Sequence, residues 1–296
     1  MDYSTLTYEV DGRVARITFD RPEHGNAITA ATPVELADAV ERADIDPAVH
    51  VILLSGRGKG FCGGYDLSLF AEGDMGAGTS ERNGTVLDAE VQLANHDPGR
   101  TWDPMVDYQM MSRFNRGYAS LLHANKPTVA KLHGFCVAGG TDIALHCDQI
   151  VAAEDTRIGY PPTRAWGVPA TGLWAHRLGD QRAKRLLLTG DLITGKQAEE
   201  WGLVVESCPV EELDERTEAL VQRIAAMPVN QLIMVKLALN SALLTQGVAT
   251  SGMVSTVFDG IARHTAEGYG FAQRAVEKGF REAVRERDEP FGDAKQ

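Results

Sequence analysis

This 296-residue sequence is short of several things, and each shortage removes a class of function. It holds four cysteines, Cys62, Cys136, Cys147 and Cys208. None forms a CxxC pair and none stands at zinc-site spacing from a histidine, so no metal site is expected. They read as small core residues of a reducing compartment. No apolar run approaches the roughly 20 residues that cross a bilayer. The opening "MDYSTLTYEVDGRVARITF" lacks the basic start and apolar block of a secretory signal. The expectation is a cytoplasmic protein with no membrane partner. Positive charge is scarce too. Lys and Arg number 29 against 41 Asp and Glu, a net charge of −12, so nucleic acid is not an expected partner. A local basic pocket for one small anion stays compatible with that balance.

What is present is an alternation of strand and helix signals. "GRVARITF" (Gly12–Phe19) reads as a strand ending in the turn-rich loop "DRPEHGN". "TPVELADAVERA" follows as a helix, with Thr32 predicted as N-cap, Pro33 at the first helical position and Glu35 completing a capping box. "VHVILLSG" (Val49–Gly56) and "KPTVAKLHG" (Lys126–Gly134) are continuous apolar runs, the pattern of strands covered on both faces. "DQIVAAE" and "LVVES" read as further strands, and a helix is predicted around Leu173 to Leu188. This order argues for an α/β core. Strand signals stop near residue 208, and helical patterns run from there to the C-terminus. Residues 71–116 are Gly-rich and turn-prone, and read either as a surface insertion or as a lid over a pocket.

Two glycine clusters carry the chemistry. "SGRGKGFCGGYDL" contains Gly58-x-Gly60-x-x-Gly63 after a strand, but no clean helix and no acid-tipped strand follow, so a dinucleotide fingerprint is not supported. The phosphate-loop pattern fails because Lys59 precedes Gly60 instead of Ser or Thr. Glycines also let backbone N–H groups face a substrate oxygen. Gly63, Gly64 or Tyr65 offers one such donor, and Ala138 to Gly140 in "GFCVAGGTDIALHCD" a second. Three residues past Gly139, Asp142 is a lone acid in apolar company. It reads as a proton carrier or as a first-turn acid complementing the helix dipole. His146, four residues on, shares that helix face and could form a relay with it. His133 reads as a core histidine.

In order along the chain, "ITFDRPEHGNAIT", "DPAVHVILLSGRGKGFCGGYDL", "KPTVAKLHGFCVAGGTDIALHCDQIVAAEDTRIG", "LLLTGDLITGKQAEEWGLV" and "GFREAVRERDEPF" resemble the crotonase, or enoyl-CoA hydratase/isomerase, superfamily. The resemblance covers nearly the full chain. It implies an α/β crotonase spiral of ββα units over residues 1–208, with 71–116 a variable insertion. Residues 209–296 would then be a helical C-terminal oligomerisation region in a homotrimer or homohexamer. It implies an acyl-CoA substrate, coenzyme A entering only as part of that substrate, and no permanently bound cofactor. The Tyr65 and Gly139 N–H groups would form the oxyanion hole for the thioester oxygen, with Gly64 and Asp66 flanking the first donor. Asp66 itself reads as a structural acid tying that loop. Along "RPEHGNA", Glu23, His24 and Ala27 are the nearest matches to the CoA-contacting positions. Asp142 falls where many members carry a catalytic carboxylate, one methylene shorter than glutamate and so about 1.5 Å shorter in reach.

One departure matters. The hydratases carry a second catalytic glutamate in a segment resembling G-x-P-E, and here "GYPPTRAWGVP" places Pro162 at that position. A slip of alignment offers Thr163 or Arg164, neither an acid. Tyr160, Arg164 and Trp166 would line the pocket where that acid is missing, with Arg164 free to pair with Asp142 or an acidic acyl group. Glu72 or Asp74 of the insertion could supply a partner instead. Syn-hydration in the family uses two carboxylates, whereas isomerisation needs one base and an oxyanion hole. Isomerase or other one-acid chemistry is therefore expected over hydration. Hydrolysis, decarboxylation or ring opening of a specialised acyl-CoA is the alternative, and a non-catalytic acyl-CoA-binding protein is the alternative of another class.

Overall fold

The computed structural model describes residues 3–66, 84–169 and 172–292. The chain begins as an antiparallel pair, β1 (Leu6–Asp11) and β2 (Val14–Phe19), followed by α1 (Thr32–Ile45) and β3 (Val51–Gly56). Two helices, α2 (Ala89–Asn95) and α3 (Pro104–His123), precede the next strand pair, β4 (Thr128–Leu132) and β5 (Phe135–Val137). Then come α4 (Gly139–Ala144), β6 (Gln149–Ala153), β7 (Arg157–Gly159), α5 (Leu173–Thr189), β8 (Leu192–Ile193), α6 (Gly195–Trp201) and β9 (Glu206–Cys208). Helices α7 (Leu213–Ala225), α8 (Val229–Thr245), α9 (Val248–Arg263), α10 (Ala266–Lys278) and α11 (Phe280–Asp288) complete the chain.

The strands form a six-stranded sheet in the order β1-β2-β3-β4-β6-β9 and a three-stranded sheet, β5-β7-β8. From β2 to β9 the larger sheet is parallel. Its central strand explains its apolar run. Ile52 and Leu54 of β3 face the main core with Leu36, Ala39 and Tyr118, while Val51 and Leu53 face a second layer with Val221 and Ala225 of α7. A strand with a helical layer on each side has no solvent face to spend on polar residues. Two successive units repeat, β4-β5-α4 and β6-β7-α5, each placing its first strand in the larger sheet and its second in the smaller one.

Several local expectations need correction. The cap of α1 is Ala31, not Thr32, and no capping box forms. Thr32 instead accepts the Thr29 N–H at 3.0 Å, and the Glu35 carboxylate holds the amides and hydroxyls of Ser4 and Thr5. Much of the 71–116 segment is helix, not loop. Asp88 caps α2 by accepting from Glu90 N–H, and Asp103 caps α3 ahead of Pro104 by accepting from Met105 N–H. The signals "LDAE" and "WDP" were in the sequence, masked by the surrounding glycines. Residues 71–83, and with them Glu72 and Asp74, lie outside the described residues. Helix α8 is unusual: Lys236 is its one buried residue, its ammonium held by Asp148 at 2.8 Å and by the Leu121 and Lys126 carbonyls. Among the described residues no single helix is long and apolar enough to cross a membrane.

Candidate active site

Two loops bring the site together. The first leaves β3 at Gly56 and runs to Asp66. It is stitched to the "RPEHGNA" loop by Gly63 N–H donating to Gly25 O (2.9 Å), Ile28 N–H to Gly64 O (2.8 Å) and Asp66 N–H to Ile28 O (2.9 Å). Asn26 is the hub of this junction. It adopts a left-handed φ of 55°, and its side-chain amide donates to the Arg57 and Gly60 carbonyls at 2.9 Å each. Sequence reasoning missed it, although Asn after Gly is a signal for that conformation.

The second loop leaves β5. Val137 N–H donates to Cys62 O and Ala138 N–H to Gly159 O, both at 3.1 Å, which ties it to the first loop and to β7. Ala138 is held at φ 52°, ψ −128°, a conformation costly for a residue with a side chain. Such strain persists only where its surroundings over-determine it, and here it turns the Gly139 peptide toward Gly64. A Cβ on Gly64 (φ +96°) would stand 2.7 Å from the Ala138 Cβ and 3.5 Å from the Gly139 nitrogen, so only glycine admits this approach. Among the described residues, no acceptor is paired with the N–H of Tyr65 or of Gly139. The arrangement thus presents two uncommitted donors from adjacent loops.

Asp142 lies in the first turn of α4 and is fully buried. Its neighbours are phenols. Tyr65, Tyr118 and Tyr160 are each held well above the ordinary phenol range, by burial first and with Asp142 contributing to all three. Tyr118 comes from α3, and Tyr65 packs on Phe114 of the same helix with ring centroids 5.8 Å apart. A Cβ on Gly139 would meet the Tyr65 ring at 2.8 Å, so that ring lies directly on the Gly139 backbone. His146 does not form a relay with the carboxylate. Its Nδ1 is bonded to the Asp142 backbone oxygen at 2.6 Å, and burial lowers its pKa to about 4.

Over this set of donors, a buried carboxylate and strained loop, the enoyl-CoA hydratase/isomerase sequence profile matches residues 9–95 and 103–279. The chain belongs to the enoyl-CoA hydratase/isomerase family. A crystal structure of an enoyl-CoA hydratase from Mycobacterium smegmatis is similar with a TM-score of 0.93 and 68% identity, covering 99% of this chain and 96% of that one. An enoyl-CoA hydratase/isomerase from Xanthobacter autotrophicus Py2 superposes with a TM-score of 0.81 at 28% identity, over 98% and 99% of the two chains. In sequence, a "Probable enoyl-CoA hydratase" of Rhizobium meliloti (strain 1021) is 30% identical over 246 residues, 82% of this chain and 84% of its own. The architecture is therefore the crotonase fold of that family.

Within this enoyl-CoA hydratase/isomerase scaffold, the structure gathers Tyr65, Gly139, Gly64 and Asp142. Glu23 and His24 are mostly exposed on a short 3₁₀ turn, 3.8 Å from each other. The Ala27 carbonyl is occupied by the Arg21 guanidinium at 2.7 Å, and Asp66 pairs with the same Arg21 at 3.0 Å. These two therefore brace the loop. Pro162 stands in a 3₁₀ turn where its carbonyl accepts the Ala165, Trp166 and Gly167 amides. Arg164 does not face Asp142. Its buried guanidinium turns the other way, to Asp288 (3.2 Å) and the Phe291 ring at the C-terminal end and to Asp191 (3.6 Å) in the turn between α5 and β8, which together offer it two carboxylates and an aromatic face. The cation near the pocket is Arg263 of α9, paired with buried Asp259 at 2.8 Å and lying 5.4 Å over Trp166. No local motif announced that pair, or Tyr118. Both reach the site from helices far away in the sequence.

Proposed function

We propose that this chain binds an acyl-CoA thioester with its carbonyl oxygen between the Tyr65 and Gly139 N–H groups, and that Asp142 carries the proton. The observation carrying the reading is the pair of uncommitted amides, Tyr65 on the loop after β3 and Gly139 on the short helix that also carries the fully buried Asp142. Fixed donors in a dry site favour charge that develops only as the reaction proceeds. The single-acid reaction is double-bond isomerisation. Asp142 takes a proton from the carbon beyond the double bond, and the electron pair moves through the chain to the thioester oxygen as a dienolate. The protonated Asp142 then returns the proton to the carbon next to the carbonyl. Product analysis by NMR on a panel of enoyl-CoA esters tests this. Asp142→Asn should lower kcat by at least about 100-fold without unfolding the protein, and undiminished turnover would remove Asp142 from the reaction.

Hydration is the second reading, favoured by the names of the similar proteins. A product heavier by one water identifies it in the same assay. Self-association into a trimer or hexamer belongs to this proposal as well. Helices α8 and α9 expose Leu239 at 67%, Met234, Val235, Leu237, Val257 and Phe258, apolar side chains of the kind a second copy covers. Light scattering giving a monomer mass at micromolar concentration would refute it.

A further inference from the structure

A second buried cluster lies outside the site, where α2, α3, α9 and α10 meet. Asp107, in the first turn of α3, accepts three hydrogen bonds on Oδ2: from Trp102 Nε1 (2.7 Å), Asn95 Nδ2 (3.0 Å) and His264 Nε2 (3.0 Å). A carboxylate oxygen filled by an indole and an amide N–H takes the imidazole as a donor too. That assigns the ring proton of neutral His264 to Nε2. Its Nδ1 is then an acceptor, and the Tyr269 hydroxyl of α10 donates to it at 2.9 Å. The Asp107 and His264 side chains are only 4% and 5% exposed, so this order of donors is fixed from inside the protein. Trp102 stacks on the imidazole with centroids 4.6 Å apart. His96, just past α2, lies 5.2 Å from it and donates from Nε2 to the Arg263 carbonyl at 3.0 Å. The charged and titratable groups around His264 are thus Asp107 of α3, His96, Arg263 of α9 with its partner Asp259, and Tyr269 of α10, with Asp97 acting on Tyr269.

This cluster closes one end of the seam between α3 and α9. A Cβ on Gly260 of α9 would stand 2.9 Å from the Asp107 Cβ, and further along Asn115 Nδ2 donates to Thr256 Oγ1 at 2.7 Å. The buried face of α3 that carries Asp107 also carries Met111, Phe114 and Tyr118, at the spacing of successive turns. Phe114 packs on Tyr65, and α9 sets Arg263 over Trp166. Whatever fastens α3 to α9 therefore fixes the wall beside the Tyr65 donor. We propose that Asp107, His264 and Tyr269 are positioning residues: with His264 neutral their relay fastens α3 to α9, and a second ring proton releases it, so that acid weakens acyl-CoA binding without acting on Asp142. The effect on binding rests on the reading of Tyr65 and Asp142 as the substrate site, whereas the relay itself does not. A proton on Nδ1 removes the acceptor of the Tyr269 hydroxyl and sets a cation against Arg263 and His96. Burial first, with His96 and Arg263 adding to it against the pull of Asp107, holds the His264 pKa below its ordinary 6.5, and burial lowers that of His96 as well. The neutral relay is therefore fully formed above pH 6.5 and is lost as pH falls through the lowered value.

Trp102 supplies the readout, because a protonated imidazole stacked on an indole quenches its emission. The full chain is titrated over about pH 8 to 5, the range in which histidine changes charge, with KM for an enoyl-CoA ester measured at each pH. Wild type should show a quenching step below pH 6.5 that Trp102→Phe lacks, and a KM that rises across it by about tenfold, the worth of one lost hydrogen bond. His264→Gln keeps a donor for Asp107 but has no proton to gain, so both profiles should flatten. Tyr269→Phe removes the donor that favours the neutral ring, so the step should move to higher pH; a residue that only packed would not shift it. The proposal is overturned by a fluorescence profile that is the same in wild type and Trp102→Phe. It is overturned as well by a KM that varies identically in wild type and His264→Gln, or by far-ultraviolet circular dichroism lost in step with the fluorescence, which would mark global unfolding. Full activity of Asp142→Asn would overturn the underlying reading of the site instead, and would leave the fluorescence arm standing.

Discussion

Gly64→Ala isolates the contact that sets the two donors against each other. At φ +96° an alanine is strained by about 1–2 kcal/mol. Its methyl would also stand 2.7 Å from the Ala138 Cβ and 3.4 Å from the Val137 oxygen, an overpacking worth about 1–3 kcal/mol. The total destabilisation is about 2–5 kcal/mol, read as a fall in the denaturation midpoint. Relieving the clash requires the Ala138–Gly139 peptide to move, and a donor displaced from its acceptor loses most of its effect. Removing one oxyanion donor costs about 100- to 1,000-fold in kcat. Gly12→Ala is the matched control, since Gly12 has φ +58° with nothing within 4 Å of an added Cβ. It should lose about 1 kcal/mol of stability and no activity. A Gly64→Ala enzyme that folds and keeps kcat within about threefold of wild type, far short of the loss expected for a missing donor, would refute the use of the Gly139 amide.

Two other perturbations probe the surroundings. His146 is held neutral with a pKa of about 4 against an ordinary 6.5, so the unfolded chain takes the proton first. Stability is then fully present above pH 6.5 and falls as pH drops toward 4, by on the order of 3 kcal/mol. Urea titrations should show that slope flattened in His146→Gln, and an unchanged slope would assign it to other groups. Arg164→Ala should destabilise by about 3 kcal/mol, because it strips a buried cation from Asp288 and Asp191, yet leave KM unchanged. A raised KM with unaltered stability would restore Arg164 to the substrate site.

The legible part of the fold was the part written in short-range pattern. β3 and β4 announce themselves because a strand covered on both faces has to be apolar at every position. The loops after them show in "CGGYD" and "VAGGTD", where close backbone approach admits only glycine at positions such as 64. The reading failed where neighbours decide. Thr32 lost the cap to Ala31 because Glu35 was drawn away by Ser4 and Thr5. The helices at 89–95 and 104–123 were hidden by glycine-rich flanks although Asp88 and Asp103 were sound caps.

The sequence by itself determined the family and marked the two glycine-rich loops and the acid that follows the second, since each is a local motif whose spacing survives without tertiary knowledge. It also showed that Pro162 leaves no acid in the place of the second glutamate. Only the tertiary structure decided what stands around Asp142 instead. Tyr118 arrives from α3 and Arg263 with Asp259 from α9, while Arg164 leaves for the C-terminal helices. Those assignments depend on which helix packs across which strand end. Packing of that kind joins residues well separated in sequence, Arg164 and Asp288 by 124 positions, and no periodicity along the chain records it.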